Sequence, residues 1–420
     1  MMKTVAILGC GTRGMIYARE LGKYPQISVT AVCDTVEEKA RQARLLSGGS
    51  AEIFTAEEEF FAEGRRADVL VIATQDRDHY RHAMRALEQG YQLLLEKPLS
   101  PSEEECFAIG RKAREVGALV LVCHVLRYTD FYKTVAGIVH SGRLGRIINI
   151  NHTENVGYWH FAHSFVRGPW RNETESCPLV LAKCCHDLDL LYWLIGCDCT
   201  RVTSFGATTV FCAGAAPQGS AAYCLQGCEV KGSCPFDAEK IYLLPRATGA
   251  APVLGDAGLQ VVGKPGCTAQ ELREALKSGP YGRCVYRCDN DVCDHQVVNM
   301  EWANGATSSL TITPFTKDCY RRISISGTQG ELFAADSGHE ITVNTFLGDR
   351  TEMVTVDDHA DQGHLGGDVG IVRTLVDILE GKKVDPDYFT TIDITLKSHA
   401  IAFAAERARQ RGCSIVPSIF

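Results

Sequence analysis

The sequence predicts an α/β protein, with a doubly wound parallel sheet followed by an α+β domain on a mainly antiparallel open sheet. Three observations lead to this fold class: apolar runs alternate with amphipathic stretches up to residue 125, a glycine-rich turn follows the first run, and later segments alternate with period 2. Strands that alternate with helices form parallel sheets with right-handed crossovers. Period-2 segments separated by turn residues are typical of antiparallel strands. We therefore predict one domain at residues 1–125 and a second at 126–420.

The predicted elements follow from hydrophobic periodicity. In the first domain the strands are Thr4–Leu8, Val29–Cys33, Val69–Ala73, Tyr91–Leu95 and Ala118–Cys123, with helices at His79–Gln89 and Ser102–Val116. In the second domain the strands are Ile147–Thr153, Gln296–Trp302, Thr307–Thr313 and Arg321–Ser326, and helices at Val369–Glu380 and Ile392–Gln410 close the fold. Residues 213–280 have little periodicity, so we expect a Cys-rich insertion at about 213–295.

Charge balance and the length of the apolar runs exclude several classes of protein. The 420 residues include 43 Lys and Arg against 51 Asp and Glu, a formal net charge of −8, so nucleic acid and acidic membrane surfaces are poor partners. No apolar run approaches the ~18 residues of a membrane span. The run before Cys10 is too short for a signal peptide. We expect a soluble, cytoplasmic protein with no nucleic-acid or membrane partner.

A glycine-rich turn follows the first predicted strand and opens a helix. Gly9 suits a tight turn, Gly11 lets backbone N–H groups approach a pyrophosphate, and Gly14 allows close packing of helix and strand. Asp34 lies twenty residues after Gly14, at the end of the second strand, where its carboxylate can accept hydrogen bonds from ribose hydroxyls. The pattern predicts a dinucleotide site, and Asp34 favours NAD over NADP because a 2′-phosphate would be repelled.

Motifs along most of the chain resemble one enzyme family. Glu96-Lys97-Pro98 follows the predicted strand Tyr91–Leu95, after Ala73-Thr74-Gln75 and His79. Further motifs are Arg127, Ser141-Gly142-Arg143-Leu144-Gly145-Arg146-Ile147, His186-Asp187-Leu188-Asp189 and Ser326-Gly327-Thr328-Gln329-Gly330-Glu331. Together they resemble the glucose-fructose oxidoreductase, inositol dehydrogenase and rhizopine-catabolism (Gfo/Idh/MocA) family. Residues 213–280 lie outside the resemblance.

The resemblance implies a Rossmann domain and a C-terminal domain whose open sheet joins subunits, so we expect a homodimer or homotetramer. It also implies that Lys97 lies between the nicotinamide and the substrate. Further NAD contacts are expected from the glycine-rich turn and the matching motifs: Thr12, Arg13, Thr74, His79, Glu96, Lys97 and Arg127.

The segment around His186 carries the expected proton chemistry. Lys183 and His186 share one face of a predicted helix, and Asp189, a candidate substrate-binding residue, lies not far round it. By resemblance, His186 is the general base, because histidine accepts protons near neutral pH. The family's dehydrogenases commonly carry an Asp four residues before this His, but Ala182 occupies that position here. Lys183 is therefore expected to stabilise a developing alkoxide or enolate; the other interpretation is a helix-capping His186 near solvated acids.

An aromatic segment at residues 155–171 supplies candidate substrate residues. Rings stack on the C–H faces of sugars while donors and acceptors bind their hydroxyls. We single out Tyr158 as a further catalytic residue and His160, His163, Arg167 and Trp170 as substrate-binding residues. The alternative is a partly buried loop whose histidines bond within the protein.

The chain has 19 cysteines, which do not form a secreted disulfide pattern. Two groups, at residues 224–234 and 284–293, are close enough in sequence to close a tetrahedral zinc or iron–sulfur site. A structural zinc bound by Cys224, Cys228, Cys234 and Cys288 is the metal hypothesis. Reduced buried thiols or a local disulfide are the alternatives.

Three functions remain open at this point. The first is an NAD-dependent oxidoreductase that takes hydride from a secondary hydroxyl of a sugar, glycoside or cyclitol. The second is a redox-neutral NAD-dependent glycosidase, which would use the many acid–base groups around His186. The third is an NAD-binding regulator without activity.

Overall fold

The structure is a computed structural model that describes residues 2–244, 261–263, 266–338, 340–357 and 364–419. Its first sheet has six parallel strands in the order β3-β2-β1-β4-β5-β6. The strands are β1 Lys3–Leu8, β2 Ile27–Cys33, β3 Glu52–Phe54, β4 Val69–Ile72, β5 Gln92–Leu95 and β6 Val120–Val122. The helices are α1 Thr12–Leu21, α2 Glu37–Leu46, α3 Glu57–Ala62, α4 His79–Glu88 and α5 Glu103–Val116. The doubly wound prediction is confirmed.

Strand order reverses between β1 and β4, which is where ligands bind in open parallel sheets. The loops after β1, β4 and β5 therefore meet at one edge of the sheet. Those loops carry the glycine-rich turn, Thr74 and Lys97.

The second sheet has eight strands in the order β14-β13-β12-β11-β7-β10-β9-β8. The strands are β7 Ile147–Asn155, β8 Cys199–Ala207, β9 His295–Trp302, β10 Thr307–Thr313, β11 Tyr320–Gly327, β12 Gly330–Ala335, β13 Glu340–Thr345 and β14 Arg350–Thr355. Neighbours pair antiparallel except β7 and β10, which are parallel. The mainly antiparallel prediction is confirmed, with four additional strands.

Helices cover one face of this second sheet, and the other face is open. Along β9, buried Val298, Met300 and Trp302 alternate with more exposed residues, as expected for a sheet buried on one side. The further helices are α6 Asp130–His140, α7 Tyr158–Phe161, α8 Leu179–Ala182, α9 Cys185–Ile195, α10 Ala269–Ser278, α11 Gly367–Leu379 and α12 Ile392–Arg411.

The two last helices return to the first domain. α11 packs against α1 and the turn Val125–Tyr128, and its Ile371, Val372 and Leu375 join the core on one face of the first sheet. Gly367 permits this approach, because a Cβ there would lie 2.3 Å from the carbonyl oxygen of Val125. α12 contributes Ile392 and Leu396 to the first domain and residues 401–405 to the second. Both predicted helices are present.

The insertion occupies residues 208–294 between β8 and β9, and part of it, residues 245–260 and 264–265, lies outside the described residues. It contains α10, which begins with a capping box between Thr268 and Glu271. Leu272 and Leu276 of α10 are buried in the core of the second domain. The insertion therefore has more regular structure than its composition predicts. In the described ranges, no helix is both long and apolar enough to cross a membrane.

Candidate active site

The glycine-rich turn leaves an open space beside its backbone. Gly9 has φ +90°, and a Cβ there would lie 2.5 Å from the carbonyl oxygen of Ala73. A Cβ at Gly14 would lie 2.0 Å from the carbonyl oxygen of Gly9, so helix and turn are in contact. At Gly11 a Cβ would meet nothing within 4 Å. This is the arrangement that a pyrophosphate requires, because its oxygens must reach the N–H groups that begin α1 at Thr12.

Asp34 lies directly after β2 and fixes the turn. Its Oδ2 accepts a hydrogen bond from the Cys10 N–H at 2.8 Å, and its Oδ1 accepts one from the Val36 N–H at 2.9 Å. The carboxylate therefore stands beside the dinucleotide space, where a ribose would lie.

Arg13 and Glu96 bind each other. The Arg13 Nε lies 2.5 Å from Glu96 Oε1, and its NH2 donates to Tyr17 Oη at 2.6 Å and pairs with Asp368 at 2.8 Å. Burial raises the pKa of Glu96, but Arg13 and Tyr17 outweigh it and the net shift is downward. The pair joins the glycine-rich turn to the loop after β5 and to α11, and the expected cofactor contacts of Arg13 and Glu96 stay predictions.

His79 and Thr74 connect two loops at the edge of the sheet. The His79 ring nitrogens face the carbonyl oxygens of Pro98 at 2.7 Å and Thr74 at 3.2 Å, and the side chain is 1% exposed. His79 therefore connects the two loops, and its expected cofactor contact stays a prediction. The Thr74 hydroxyl is 3.0 Å from His82 Nδ1. Together these bonds hold the loops after β4 and β5 in position.

Lys97 is a half-buried ammonium beside the cleft. Its Nζ donates to the Ala182 carbonyl oxygen at 3.1 Å, and within the described part of the chain it makes no ion pair. Burial opposes the charge, but Cys185, Glu96 and Asp76 outweigh it and raise the pKa of Lys97 above its usual value. An ammonium with three donors and one carbonyl partner has donors left for another oxygen.

His186 is the second residue of α9 and lies in its buried first turn. Burial, Lys97 and His124 together hold its pKa well below the usual value. The side chain is 7% exposed, and its Nδ1 is buried without a partner among the described residues. A neutral imidazole beside an ammonium can accept a proton.

Two further histidines on the Lys97 side were not singled out from the sequence. The His124 ring meets His186 edge to face, with centroids 5.5 Å apart, and His399 at 5.8 Å. His399 is fully bonded, since its Nε2 accepts from the Leu99 N–H and its Nδ1 donates to the Thr395 carbonyl oxygen. Neither ring nitrogen of His124 has a partner in the described structure. Burial lowers the pKa of each to about 3.

Lys183 lies across the cleft in a buried network of charges. Its Nζ pairs with Glu154 Oε1 at 3.2 Å, and Arg321 pairs with both Glu154, at 2.8 Å, and Asp187, at 2.7 Å. Burial raises the pKa of Asp187, but Arg321 and His152 outweigh it and lower it strongly. Glu154 and Arg321 come from neighbouring strands β7 and β11, a pairing that no local pattern predicts.

Arg127 and Asp189, which were predicted to contact cofactor and substrate respectively, bind each other, and both expected contacts stay predictions. They form a bidentate pair at 2.6 and 2.8 Å, and each is at most 2% exposed. The Arg127 guanidinium also lies over the Trp193 ring. The pair is part of the support beneath the cleft.

The aromatic segment divides into two groups. Tyr158 and His160 lie partly exposed in a helical turn, and burial, Lys183 and His163 hold the pKa of His160 well below its usual value. The Trp170 Nε1 donates to Asp76 in the first domain at 3.0 Å. His160 and Trp170 therefore reach the side of the molecule where Lys97 and Lys183 lie.

His163 and Arg167 point away into the insertion. His163 stacks on Tyr281 with centroids 4.8 Å apart and bonds with the Tyr242 hydroxyl. Arg167 is 2% exposed and donates to the carbonyl oxygens of Phe236 and Arg283. Both side chains are bonded within the protein beneath the insertion, and their expected binding of substrate stays a prediction.

The described residues do not support the hypothesis of a single structural zinc. Among the residues that the structure describes, no group of three or more His, Cys, Asp or Glu side chains is arranged to hold a metal ion. Cys288 points its Sγ at the Cys284 carbonyl oxygen, 3.4 Å away. The structure shows no disulfide bond within the residues it describes.

Two family descriptions match the chain. "Oxidoreductase family, NAD-binding Rossmann fold" covers residues 3–124, and "Oxidoreductase family, C-terminal alpha/beta domain" covers residues 137–412. The chain belongs to the Gfo/Idh/MocA oxidoreductase family.

Relatives and solved structures of this family agree with the fold. The chain is 25% identical to inositol 2-dehydrogenase 2 of Saccharopolyspora erythraea over 49% of this chain and 57% of that one. It is 22% identical to 2,7-anhydro-N-acetylneuraminate hydratase of Escherichia coli over 49% and 53%. An oxidoreductase from Agrobacterium radiobacter, solved with NAD+, L-tartaric acid and magnesium, superposes with a TM-score of 0.70 at 14% identity, covering 99% of this chain and 98% of that one. The chain spans little more than half the length of these curated relatives.

Proposed function

We propose that the protein is an NAD-dependent oxidoreductase acting on a secondary hydroxyl of a sugar, glycoside or cyclitol. The observation that carries the proposal is the pairing of Lys97, an ammonium with no ion-pair partner in the described residues, with His186, a neutral imidazole. Their charge states are those needed to stabilise a hydroxyl oxygen and to take its proton. The relationship to an inositol dehydrogenase supports a polyol substrate.

The residues around the glycine-rich turn fit NAD. Gly11 leaves room for the pyrophosphate, the N-terminus of α1 faces that room, and Asp34 stands where the adenosine ribose would lie. Bound there, NAD would accept a hydride at its nicotinamide. Asp34 would repel a 2′-phosphate, which favours NAD over NADP.

The chain's own residues would then handle the proton. Lys97 donates a hydrogen bond to the substrate oxygen and stabilises the negative charge that develops on it. His186 accepts the hydroxyl proton, which its depressed pKa permits across the neutral range. Lys183, fixed by Glu154 at 3.2 Å, orients the substrate from the opposite wall.

Tyr158, His160 and Trp170 complete the proposed substrate site. Their rings offer apolar faces to sugar C–H groups, and their polar atoms can bond hydroxyls. The Trp170 Nε1 donates to Asp76 of the first domain, so this segment connects the two domains.

A redox-neutral lyase, hydratase or glycosidase is the second candidate. Transient oxidation of a sugar makes a neighbouring C–H acidic, and removing that proton needs a second base. His160 is neutral and close enough to Lys183 and His163 to feel their charges, so it can supply that base. The relationship to a hydratase points the same way.

We further propose that the protein is a homo-oligomer and is located in the cytoplasm. Phe205, Phe333 and Met353 are at least 46% exposed on the strands of the second sheet, and apolar residues on an open sheet commonly mark an interface. Free thiols throughout the chain suit a reducing compartment. Light scattering of the purified protein gives the subunit number, and a monomer would remove this part of the proposal.

The test follows NADH absorbance and product release together, with cyclitols, free sugars and aryl glycosides plus added NAD. NADH formed in step with substrate supports the oxidoreductase; aglycone or elimination product without net NADH supports the second candidate. His186→Asn should lose at least ~10²-fold in kcat with NAD affinity unchanged. The matched control is His140→Asn, an exposed histidine outside the cleft. Equal rates for both variants would contradict the role of His186.

A further inference from the structure

The thiol of Cys319 lies against the imidazole ring of His160. Cys319 directly precedes β11, and its Sγ is 3.5 Å from His160 Nδ1. Gly157 makes room for the sulfur, because a Cβ at that position would lie 2.8 Å from it. The Trp159 ring stacks on His160 with centroids 5.6 Å apart and fixes the plane of the imidazole. The sulfur and the ring are therefore held in contact by their neighbours on both sides.

The thiol proton of Cys319 is already used in another hydrogen bond. Its S–H donates to the carbonyl oxygen of Val156, the residue that follows β7. Burial raises the pKa of Cys319 to about 11, against the opposing charge of Lys183, so the sulfur keeps its proton in the neutral range. A thiol has one proton to donate and can also accept weakly. Towards His160 the sulfur is therefore an acceptor.

This acceptor determines where the proton of His160 lies. Burial, Lys183 and His163 hold the pKa of His160 well below its usual value, so the ring is neutral and carries one proton. Because the sulfur accepts from Nδ1, that proton is on Nδ1 and the lone pair is on Nε2. The Nε2 atom has no hydrogen-bond partner among the described residues and is not fully buried. Its lone pair is therefore accessible to a ligand.

We propose that Cys319 is a positioning residue that holds His160 with its proton on Nδ1 and its lone pair on Nε2. The inference rests on the proposed function, in which His160 belongs to the substrate site. In this tautomer, Nε2 accepts a hydrogen bond from a group that carries a proton, such as a hydroxyl. A carboxylate or phosphate oxygen has no proton to donate, and the neighbouring Lys183 is already paired with Glu154. At His160 the site therefore selects a polyol hydroxyl.

The same tautomer is the one that a base requires in the second candidate function. Nε2 would take the proton from the C–H bond next to the transiently oxidised carbon. That C–H bond breaks, an N–H bond forms, and the electron pair of the C–H bond goes into the enolate of the sugar. The His160 ring becomes an imidazolium whose Nδ1–H still donates to Cys319. The contact therefore supports His160 before and after the proton transfer.

Nuclear magnetic resonance of the intact protein, prepared with isotope-labelled histidine, tests the tautomer directly. Correlations between ring protons and ring nitrogens show which nitrogen is protonated, and His160→Asn identifies the His160 signals by their loss. We expect a proton on Nδ1 in the native protein and in Cys319→Ser, which keeps a donor and an acceptor. In Cys319→Ala the fraction with a proton on Nδ1 should fall at least ~2-fold, because the acceptor is lost.

Cys413→Ala is the matched control, since this exposed thiol lies beyond α12. It should keep the native His160 signals, and unchanged NAD affinity shows that each variant is folded. A native His160 protonated on Nε2 would overturn the proposal, and so would a native tautomer in Cys319→Ala. The spectra need neither substrate nor turnover, so a failure of the proposed function leaves their result standing.

Steady-state kinetics then connect the tautomer with turnover. We expect kcat/KM to fall ~3- to 10-fold in Cys319→Ala, the effect of one hydrogen bond, to recover at least about half in Cys319→Ser, and to stay native in Cys413→Ala. In the oxidoreductase the loss should appear in KM, because His160 binds substrate; in the second candidate it should appear in kcat, because Nε2 takes a proton. An altered tautomer with native kcat/KM would contradict the positioning role of Cys319.

Discussion

Lys97 and Lys183 face the same cleft from opposite domains, but their surroundings differ. Lys97 is bonded to a backbone carbonyl and has no ion pair in the described residues, whereas Lys183 is paired with Glu154 in a network that includes Arg321 and Asp187. An ammonium that is already paired with a carboxylate, as Lys183 is with Glu154, stabilises negative charge on a substrate oxygen less than an ammonium without an ion pair. Under the proposed function, charge stabilisation would therefore fall to Lys97 and positioning to Lys183.

The largest expected effect is at Lys97. Lys97→Met removes the unpaired ammonium and should lower kcat/KM by ~10³-fold, about 4 kcal/mol of transition-state stabilisation. NAD affinity, measured by fluorescence titration, should stay within ~3-fold of the native value, because the glycine-rich turn is untouched. A variant with near-native turnover would contradict the role of Lys97.

Lys183→Met should have a smaller effect. Loss of a positioning contact is expected to raise KM and to lower kcat/KM by ~10- to 100-fold. Glu154→Gln leaves the ammonium but removes its counter-charge, so it should reproduce part of the KM increase. Steady-state kinetics on the three variants decide the comparison, which fails if Lys183→Met costs as much as Lys97→Met.

His124 lies on the Lys97 side and packs against His186. His124→Phe keeps the edge-to-face ring contact but removes both unpartnered nitrogens, so we expect kcat to fall ~3- to 10-fold and the acid limb of its pH profile to move. His140→Phe is the control and should leave the profile unchanged. An unaltered pH profile in His124→Phe would limit its role to packing.

The smallest expected effect concerns stability in acid. Burial lowers the pKa of His124 and His399 to about 3 and, with Arg81 and Arg167 nearby, that of His82 and His163 to about 4. Below pH ~6.5 these histidines are protonated in the unfolded chain but stay neutral in the folded chain, so the free energy of unfolding falls as the pH falls. Urea titrations at pH 7.5 and pH 5.0 measure this change. Between these two pH values, the free energy of unfolding should fall by about 1–2 kcal/mol less in His124→Phe than in the native protein. Equal losses would contradict a neutral buried His124.

Elements with strong periodicity could be predicted from the sequence, and pairings between distant residues could not. Ile147–Thr153 and Thr307–Thr313 alternate clearly and are strands, whereas β3 is a three-residue edge strand with too short a pattern to detect. The glycine-rich turn was recognisable because its backbone geometry requires glycine locally. The pairing of Arg127 with Asp189 could not be predicted, because the two charged residues lie 62 residues apart in the sequence.

The cysteines and His124 show the same limit. Cys284 and Cys288 lie four residues apart, and the sequence does not distinguish them. The bridge between Tyr223 and Arg283 places Cys284, and not Cys288, at a small cavity that Cys224, Cys228 and Cys234 also line. His124 follows an apolar strand and carries no motif; its position is set by packing between α9 and α12, which are distant in sequence.

The return of α11 to the first sheet has a consequence for protein synthesis. Val5, Ile7 and Val71 share a core with Ile371 and Val372, so a nascent chain that ends before residue 367 exposes this apolar face to solvent. The face stays uncovered while the ribosome makes most of the second domain. Chaperones would therefore be able to bind the first domain before α11 packs against it. A fragment of residues 1–125 made alone should aggregate unless a peptide of residues 364–380 is added.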